Sequence, residues 1–137
     1  MLGSIDCMHW VWKNCPTIWH GQYTGHKHAL TLILEAVASY NIWIWQSFFE
    51  MLGSSNNLNV LARSTVFEDM FYRRSPPVEF AINGNMYDMG YYLANNIYPQ
   101  YATIIKSDKN PTTQKEKVFC EYQKVARKDV ERAFGIL

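Results

Sequence analysis

Apolar residues recur along the first third of the chain in short runs that predict β-strands. The opening MLGSIDCMHW has the character of a strand, and LTLILEAVAS is an apolar run without a helix cap. The following NIWIWQSFF alternates, with Trp43, Trp45 and Ser47 on one face. Because Tyr40-Asn41 lies at the corner between the last two runs, they predict an antiparallel pair.

The remaining pattern predicts a helix, a hairpin, two short strands and a long helix. LNVLARSTVFEDMFY has helical spacing and stops before Pro76-Pro77. Asn83-Gly84 marks a two-residue hairpin turn, and YYLAN and YATIIKS predict strands. Thr112 or Thr113 is expected to cap the last helix. The apolar face of that helix is predicted to contain Phe119, Tyr122, Ala126, Val130 and Phe134. This order of elements predicts an α/β fold, a mixed sheet with helices packed on it.

Composition narrows the class of protein without identifying it. The chain has 137 residues, of which 48% are hydrophobic and 15% aromatic, so one domain with a packed core is expected. The net charge of +1 does not by itself indicate nucleic acid. From Lys106 to Leu137, however, eight Lys or Arg face five Asp or Glu, a local excess of +3. The three cysteines have no close spacing, which favours reduced thiols in an intracellular compartment.

Asp6, Asn95 and Glu131 raise the question of a metal site. Asp6 lies within an apolar strand, where a charge is costly unless it is paired or binds a metal. Carboxylates on strands and on a later helix can converge on Mg²⁺, and Asn95 would offer an oxygen without the charge. Spacing alone favours ordinary roles: Asp6 would end a strand or pair with Lys13, and Glu131 would pair with basic neighbours on its own helix.

Basic and aromatic side chains offer a second kind of chemistry. Lys13, Arg127, Lys128 and Arg132 are candidate contacts to DNA phosphates, and a solvated helix face explains the last three equally well. The Trp43 and Trp45 rings could stack on bases, but alternating aromatics in a strand favour the core.

Three stretches carry a resemblance to a known family: GSIDCMHWVWKNCPTIWHGQYTG, INGNMYDMGYYLANNIYP and RKDVERAFGIL. Together with the blocks between them, they resemble plant PIF/Harbinger-type transposases and their domesticated derivatives over nearly the whole chain. The resemblance implies a ribonuclease-H-like core whose triad of two Asp and one Glu binds Mg²⁺ or Mn²⁺ and cuts DNA phosphodiester bonds. It also implies action in the nucleus, commonly with a separate Myb-like DNA-binding partner protein.

Within this resemblance, two family aspartates are asparagines in the chain. Asp6 and Glu131 match the first and last members of the triad. Asn95 stands where the family's YYLAD-x-x-YP block has its second Asp, and Asn57 stands at a further acidic position of the family. The resemblance therefore implies a weakened site for Mg²⁺ or Mn²⁺ and impaired strand cleavage, unless Asp88 or another carboxylate replaces the lost ligand.

Residues 1–137 are expected to form one ribonuclease-H-like, transposase-derived nuclease domain, a fragment shortened at both ends relative to the family. Two alternatives remain open. One is a domesticated, non-catalytic protein that binds DNA or a partner. The other is a non-functional transposon remnant.

Overall fold

The described part of the chain forms a mixed sheet, a separate hairpin and one long helix. A computed structural model describes residues 1–14, 16–19, 31–50, 64–65, 68 and 78–137. The strands are β1 (Gly3–Val11), β2 (Thr31–Ala38), β3 (Ile44–Glu50), β4 (Phe80–Ile82), β5 (Asn85–Tyr87), β6 (Tyr92–Ala94) and β7 (Ile104–Ile105). A short 3₁₀ helix covers Thr17–Trp19, and the long helix, α1, covers Gln114–Ile136.

The main sheet has the strand order β3-β2-β1-β6-β7. Strands β1, β2 and β3 pair antiparallel, whereas β6 pairs parallel with β1 and β7 pairs parallel with β6. The predicted mixed α/β fold is thus confirmed. The predicted antiparallel pair is confirmed as well, although β3 begins at Ile44 rather than Asn41 because Ile42 has a positive φ of 66° in the connecting turn.

Apolar side chains cover both faces of the sheet. Ala36 and Ala38 pack with Val130 and Ala133 of α1, so the even-numbered residues of β2 face the helix. Val37 faces the other way and packs with residues of β1, β6, β7 and the segment after β6: Ile5, Ala94, Ile104 and Tyr98. This two-sided burial explains why β2 is a nearly continuous apolar run.

Helix α1 begins as its sequence predicts and packs part of its predicted face on the sheet, since Val130 is buried there and Phe134 packs beside it. Thr113 is the N-cap, and it exchanges hydrogen bonds with Glu116 in a capping box. Phe119 and Tyr122 are 46% and 74% exposed, so their predicted place on the buried face is wrong. Both rings line the cavity beside the β4–β5 hairpin, whereas the neighbouring Gln123 contacts the sheet by donating its Nε2 to the carbonyl oxygens of β6 and β7 at 3.1 and 3.3 Å.

Other predictions have mixed outcomes. The hairpin is confirmed, because Asn83 and Gly84 both have the positive φ of a tight turn, 52° and 80°. The predicted strand over 101–107 is only two residues long. Most of the predicted helix at 58–72 lies outside the described residues, as does Asn57. Within it, Ser64 and Thr65 are not helical, whereas Glu68 is.

The predicted core position of Trp43 and Trp45 is wrong. Their side chains are 62% and 67% exposed, because they lie at the edge of the sheet and the alternating residues Ile42 and Ile44 are the ones that pack against the cluster under α1. Among the described residues, no helix has both the length and the apolar character needed to cross a membrane.

Candidate functional site

Asp6 lies in the middle of β1, on the face of the sheet that packs against α1. Its strand partner is Ala36, which belongs to the core beneath the helix. Ser4, two residues earlier on the same face, donates its hydroxyl to the carbonyl oxygen of Ala126 at 3.1 Å. Asp6 therefore does not end the strand. Nor is it placed to pair with Lys13, since β1 continues for five more residues, roughly 16 Å at about 3.3 Å per residue.

Asn95 lies directly after β6 and next to Asp6. Ile5 pairs in parallel register with Ala94, so the following residues of the two chains, Asp6 and Asn95, are neighbours on the same face. The Asn95 side-chain oxygen accepts a hydrogen bond from the backbone N–H of Asn96 at 2.6 Å. Its backbone carbonyl accepts one from the N–H of Tyr98 at 3.1 Å. These bonds form a turn that holds Asn95 at the carboxyl end of the strand.

Glu131 lies on an exposed position of α1, one turn after Arg127, and both residues act on the carboxyl group of Asp6. Burial raises the pKa of Asp6. The backbone N–H of Cys7, which donates to Asp6 Oδ1 at 2.9 Å, and the nearby Arg127 guanidinium both work against that rise. The negative charge of Glu131 adds to it. Strand register thus brings Asp6 and Asn95 together, and α1 places Glu131 within their electrostatic reach.

As possible metal ligands, the side-chain oxygens of Asp6, Asn95 and Glu131 suit one weakly held divalent cation better than a pair of cations. They comprise two carboxylates and one amide, and the Asn95 oxygen is already used in its own turn. Within the described ranges, no cluster of three or more His, Cys, Asp and Glu side chains is arranged to hold a metal ion. Mg²⁺ and Mn²⁺ favour charged oxygen ligands, so replacing a carboxylate by an amide lowers the affinity expected of this site.

Asp88 lies elsewhere. It lines a cavity of about 620 Å³ between the hairpin and α1, and Tyr122 forms part of the same wall. Tyr122 and Glu131 are nine residues apart, which at about 100° per residue puts them on opposite sides of the helix. Asp88 is therefore not placed to complete the group around Asp6.

The four basic candidates do not form one patch. Arg127 is half-buried beside Asp6, and Lys128 is exposed on the next position of α1. Arg132 donates to Asp129 Oδ1 at 2.9 Å, which offsets part of its charge. Lys13 is exposed in the turn that follows β1. Arg127 alone of these four acts on the carboxyl group of Asp6.

A second polar cluster, on the opposite face of the sheet, was not anticipated from the sequence. Glu35 of β2 is completely buried and pairs across the strands with Cys7. The Cys7 sulfur lies 3.2 Å from the Tyr98 hydroxyl and 3.9 Å from Glu35 Oε2. Ser64 also donates to the Glu35 carboxyl, yet Glu35 Oε1 has no hydrogen-bond partner among the described residues. The sequence feature that could have indicated this cluster is Glu35 itself, a single carboxylate within the apolar run of β2.

Burial dominates the protonation of this second cluster. It raises the pKa of Glu35, against the hydrogen bonds that favour its charged form. It also raises the pKa of Cys7 to about 12 and that of Tyr98 further above its ordinary value. Cys7 is therefore a neutral thiol at physiological pH, which makes it a poor nucleophile.

Comparisons with known proteins give one result. Searches of the curated proteins and of the solved structures returned no match. The family model described as plant transposon protein matches residues 1–137. Since the match spans the chain, this protein belongs to the plant transposon protein family.

Proposed function

We propose that the chain is a PIF/Harbinger-type, transposase-derived nuclease domain that acts on DNA phosphodiester bonds, and that its cleavage activity is impaired by Asn95. One observation carries the proposal. Asp6 and Asn95 stand side by side on parallel-paired segments, and Glu131 projects from the helix that covers the same face. These are the three positions that the family resemblance assigns to an acidic triad.

The sheet supports a ribonuclease-H-like core. Strands β1 to β3 pair antiparallel, β6 pairs parallel with β1, and β7 pairs parallel with β6, while a helix packs on the face that carries Asp6. In this topology the parallel register sets Asp6, in the middle of β1, beside the carboxyl end of the shorter strand β6, where polar side chains from separate parts of the chain can meet. The likeness concerns architecture, and the site residues carry the functional argument.

Asp6 and Glu131 would hold a Mg²⁺ or Mn²⁺ ion, with the Asn95 amide oxygen as a neutral contact. A bound ion of this kind activates water and stabilises a leaving oxygen. The role of Arg127 follows from its place beside Asp6: it offsets the carboxylate charge in the absence of metal and can bind a phosphate oxygen of the DNA backbone. Lys128 extends this positive charge along the helix surface.

The test is Mn²⁺ titration by calorimetry, combined with a plasmid-nicking assay, on the native chain and on Asn95→Asp. Asn96→Asp is the matched control, because it adds the same charge one residue away from the register position beside Asp6. We expect Asn95→Asp to bind Mn²⁺ at least about tenfold more tightly and to nick DNA, because it restores a charged oxygen ligand. The native chain and Asn96→Asp should do neither well.

Two results would contradict this assignment. Strong Mg²⁺-dependent nicking by the native chain that disappears in Glu131→Ala would show that cleavage is not impaired. Equal metal binding by the Asn95 and Asn96 variants would show that the site does not depend on the position beside Asp6.

The second candidate is a non-catalytic protein of the nucleus that binds DNA or a Myb-like partner. Arg127 favours it, since a guanidinium beside Asp6 suits phosphate contact without metal. DNA binding by the native chain in the presence of EDTA, weakened by Arg127→Ala and by raised salt, is the expected result. A fluorescent fusion would test the nuclear location. Absence of a cooperative unfolding transition would instead indicate a transposon remnant.

A further inference from the structure

Two buried side chains hold α1 to the main sheet by hydrogen bonds. Gln123 is 4% exposed, and its Nε2 donates to the carbonyl oxygens of Ala94 at 3.1 Å and Ile105 at 3.3 Å. Ser4, which is 0% exposed, donates its hydroxyl to the carbonyl oxygen of Ala126 at 3.1 Å. One short stretch of the helix is therefore bonded to β1, β6 and β7.

On the sheet, these bonds lie next to the residues of the candidate site. One carbonyl that accepts from Gln123 belongs to Ala94, the residue before Asn95. Ser4 is two residues before Asp6 and lies on the same face of β1. The hydrogen bonds to α1 are thus made by the two strands that position Asp6 and Asn95.

On the helix, the two residues that act on Asp6 follow Gln123 at intervals of four. Arg127 and Glu131 lie one and two turns beyond it, roughly 6 and 12 Å along the axis at about 1.5 Å per residue. Residues four apart are neighbours on the surface of a helix. A shift or rotation of α1 at Gln123 would therefore move both charged groups relative to Asp6.

The apolar contacts beneath α1 define its position less narrowly than these bonds. Ala36 and Ala38 of β2 pack with Val130 and Ala133, and such contacts are non-directional. Hydrogen bonds require short distances and aligned groups. Gln123 Oε1 has no hydrogen-bond partner among the described residues, which limits what this buried amide adds to stability. The amide consequently contributes more to the placement of the helix than to the free energy of unfolding.

We propose that Gln123 is a positioning residue of the candidate metal site. By donating to the carboxyl ends of β6 and β7, it fixes the place of α1 on the sheet and so sets where Glu131 stands relative to Asp6 and Asn95. The assignment rests on the proposed function, because it gives Gln123 a role toward a metal that it does not touch. Loss of its two bonds should move the helix and weaken metal binding while the chain stays folded.

Gln123→Met is the test variant, because it removes the amide donor and keeps the length of the side chain. Cys120→Ala is the matched control. Cys120 is also a buried residue of α1, 8% exposed, and its thiol donates to a backbone carbonyl oxygen at 3.6 Å. That carbonyl belongs to Asp108, which lies after β7 and away from the strands that carry the site.

The first readout is the place of the helix, and it needs no metal. Nuclear Overhauser contacts between the methyl groups of Val130 and those of Ala36 and Ala38 report how α1 sits on β2. We expect these contacts to change in Gln123→Met and to stay as they are in Cys120→Ala. Gln123→Asn is a second variant for the same measurement, since its amide is too short to reach both carbonyl oxygens and should shift the same contacts.

The second readout is Mn²⁺ binding by calorimetry, with Asn95→Asp as the background that restores a charged ligand. Adding Gln123→Met should weaken Mn²⁺ binding by about tenfold, because a ligand on a displaced helix no longer meets the others at the ion. Adding Cys120→Ala should leave the dissociation constant nearly unchanged. Each titration is made at a temperature where circular dichroism shows the variant fully folded, so lost stability alone cannot alter the constant.

Two results would overturn the inference. The first is an unchanged set of methyl contacts in both Gln123 variants. The second is an equal effect of Gln123→Met and Cys120→Ala on Mn²⁺ affinity. Failure of Asn95→Asp to bind Mn²⁺ would instead contradict the proposed metal site, and the methyl contacts would then decide by themselves whether Gln123 positions α1.

Discussion

Strand β1 carries polar groups on both faces of the sheet, and the two surroundings differ in access to solvent. On the helix side, the half-buried Asp6 stands near Arg127 and the exposed Glu131. On the other side, Cys7 contacts Glu35 and Tyr98, which are 0% and 1% exposed. Asp6 and Cys7, successive residues of β1, thus belong to two different polar groups. The group around Asp6 is open to solvent, and the group around Cys7 is sealed from it.

This difference separates candidate function from structure. An ion or a phosphate can reach Asp6 and Glu131 from water, whereas reaching Glu35 would require the core to open. A sealed carboxylate affects stability and its pH dependence, because its charged form is poorly solvated. An accessible one can retain its charge for binding. Substitutions on the two faces of β1 should therefore have effects of different size and kind.

The largest effect is expected from Tyr98→Ala, on the sealed side. Tyr98 fills the core between Ile5, Val37 and Ile104, so its truncation leaves a cavity that costs about 3–5 kcal/mol of unfolding free energy. Urea denaturation measures the loss. Tyr98→Phe is the control that removes only the hydroxyl near Cys7, at about 1 kcal/mol. Equal losses in the two variants would show that the hydroxyl, not the packing, matters at this position.

Glu35→Gln should remove a fall in unfolding free energy that occurs as the pH rises, a change of about 1–3 kcal/mol near neutral pH. Burial raises the folded-state pKa of Glu35, so the stability from its protonated form is present below pH 4.5, its ordinary value, and is lost as pH rises through the raised pKa. Gln carries no charge and should remove this decline. Thermal unfolding from pH 4 to 8 measures it, and an unchanged slope would contradict the sealed environment.

Asp6→Asn should stabilise the chain slightly at neutral pH, by up to about 1 kcal/mol, while impairing metal binding. Because burial raises the pKa of Asp6, its ionised form costs more in the fold than in the unfolded chain, and Asn can still accept the Cys7 N–H. Thermal unfolding without metal tests this sign, with Glu131→Gln as the exposed control. A marked loss of stability would mean that the pairing of Asp6 with Arg127 outweighs its burial.

The smallest expected effect is a change in the pKa of one carboxyl group, that of Asp6. Arg127→Ala should raise the pKa of Asp6 further, because the guanidinium that favours the carboxylate is removed. Carboxyl-carbon NMR titration follows the change directly. Lys128→Ala is the matched control on the next, exposed position of the helix, and it should leave the Asp6 titration almost unaltered. A similar response to both variants would point to general surface charge.

The sequence predicted the local features of the fold better than the site. The hairpin at Asn83-Gly84 and the cap at Thr113 follow from bonds between near neighbours, and both are present. Family resemblance singled out Asp6, Asn95 and Glu131, but the adjacency of the first two depends on the parallel register of β1 and β6. Glu35 could not be recognised as buried, since one acidic residue in a strand occurs equally at a surface.

What the sequence by itself determined is the alternation of strands, the turn and helix signals, and membership of a plant transposon protein family. These depend on residue types and spacings a few positions apart. The tertiary structure decided which side chains are exposed. Trp43 and Trp45 have the pattern of core residues, yet they lie at a sheet edge, while Glu35 lies inside. Burial depends on the residues that pack against a side chain. Because these residues come from distant parts of the chain, the local sequence does not reveal them.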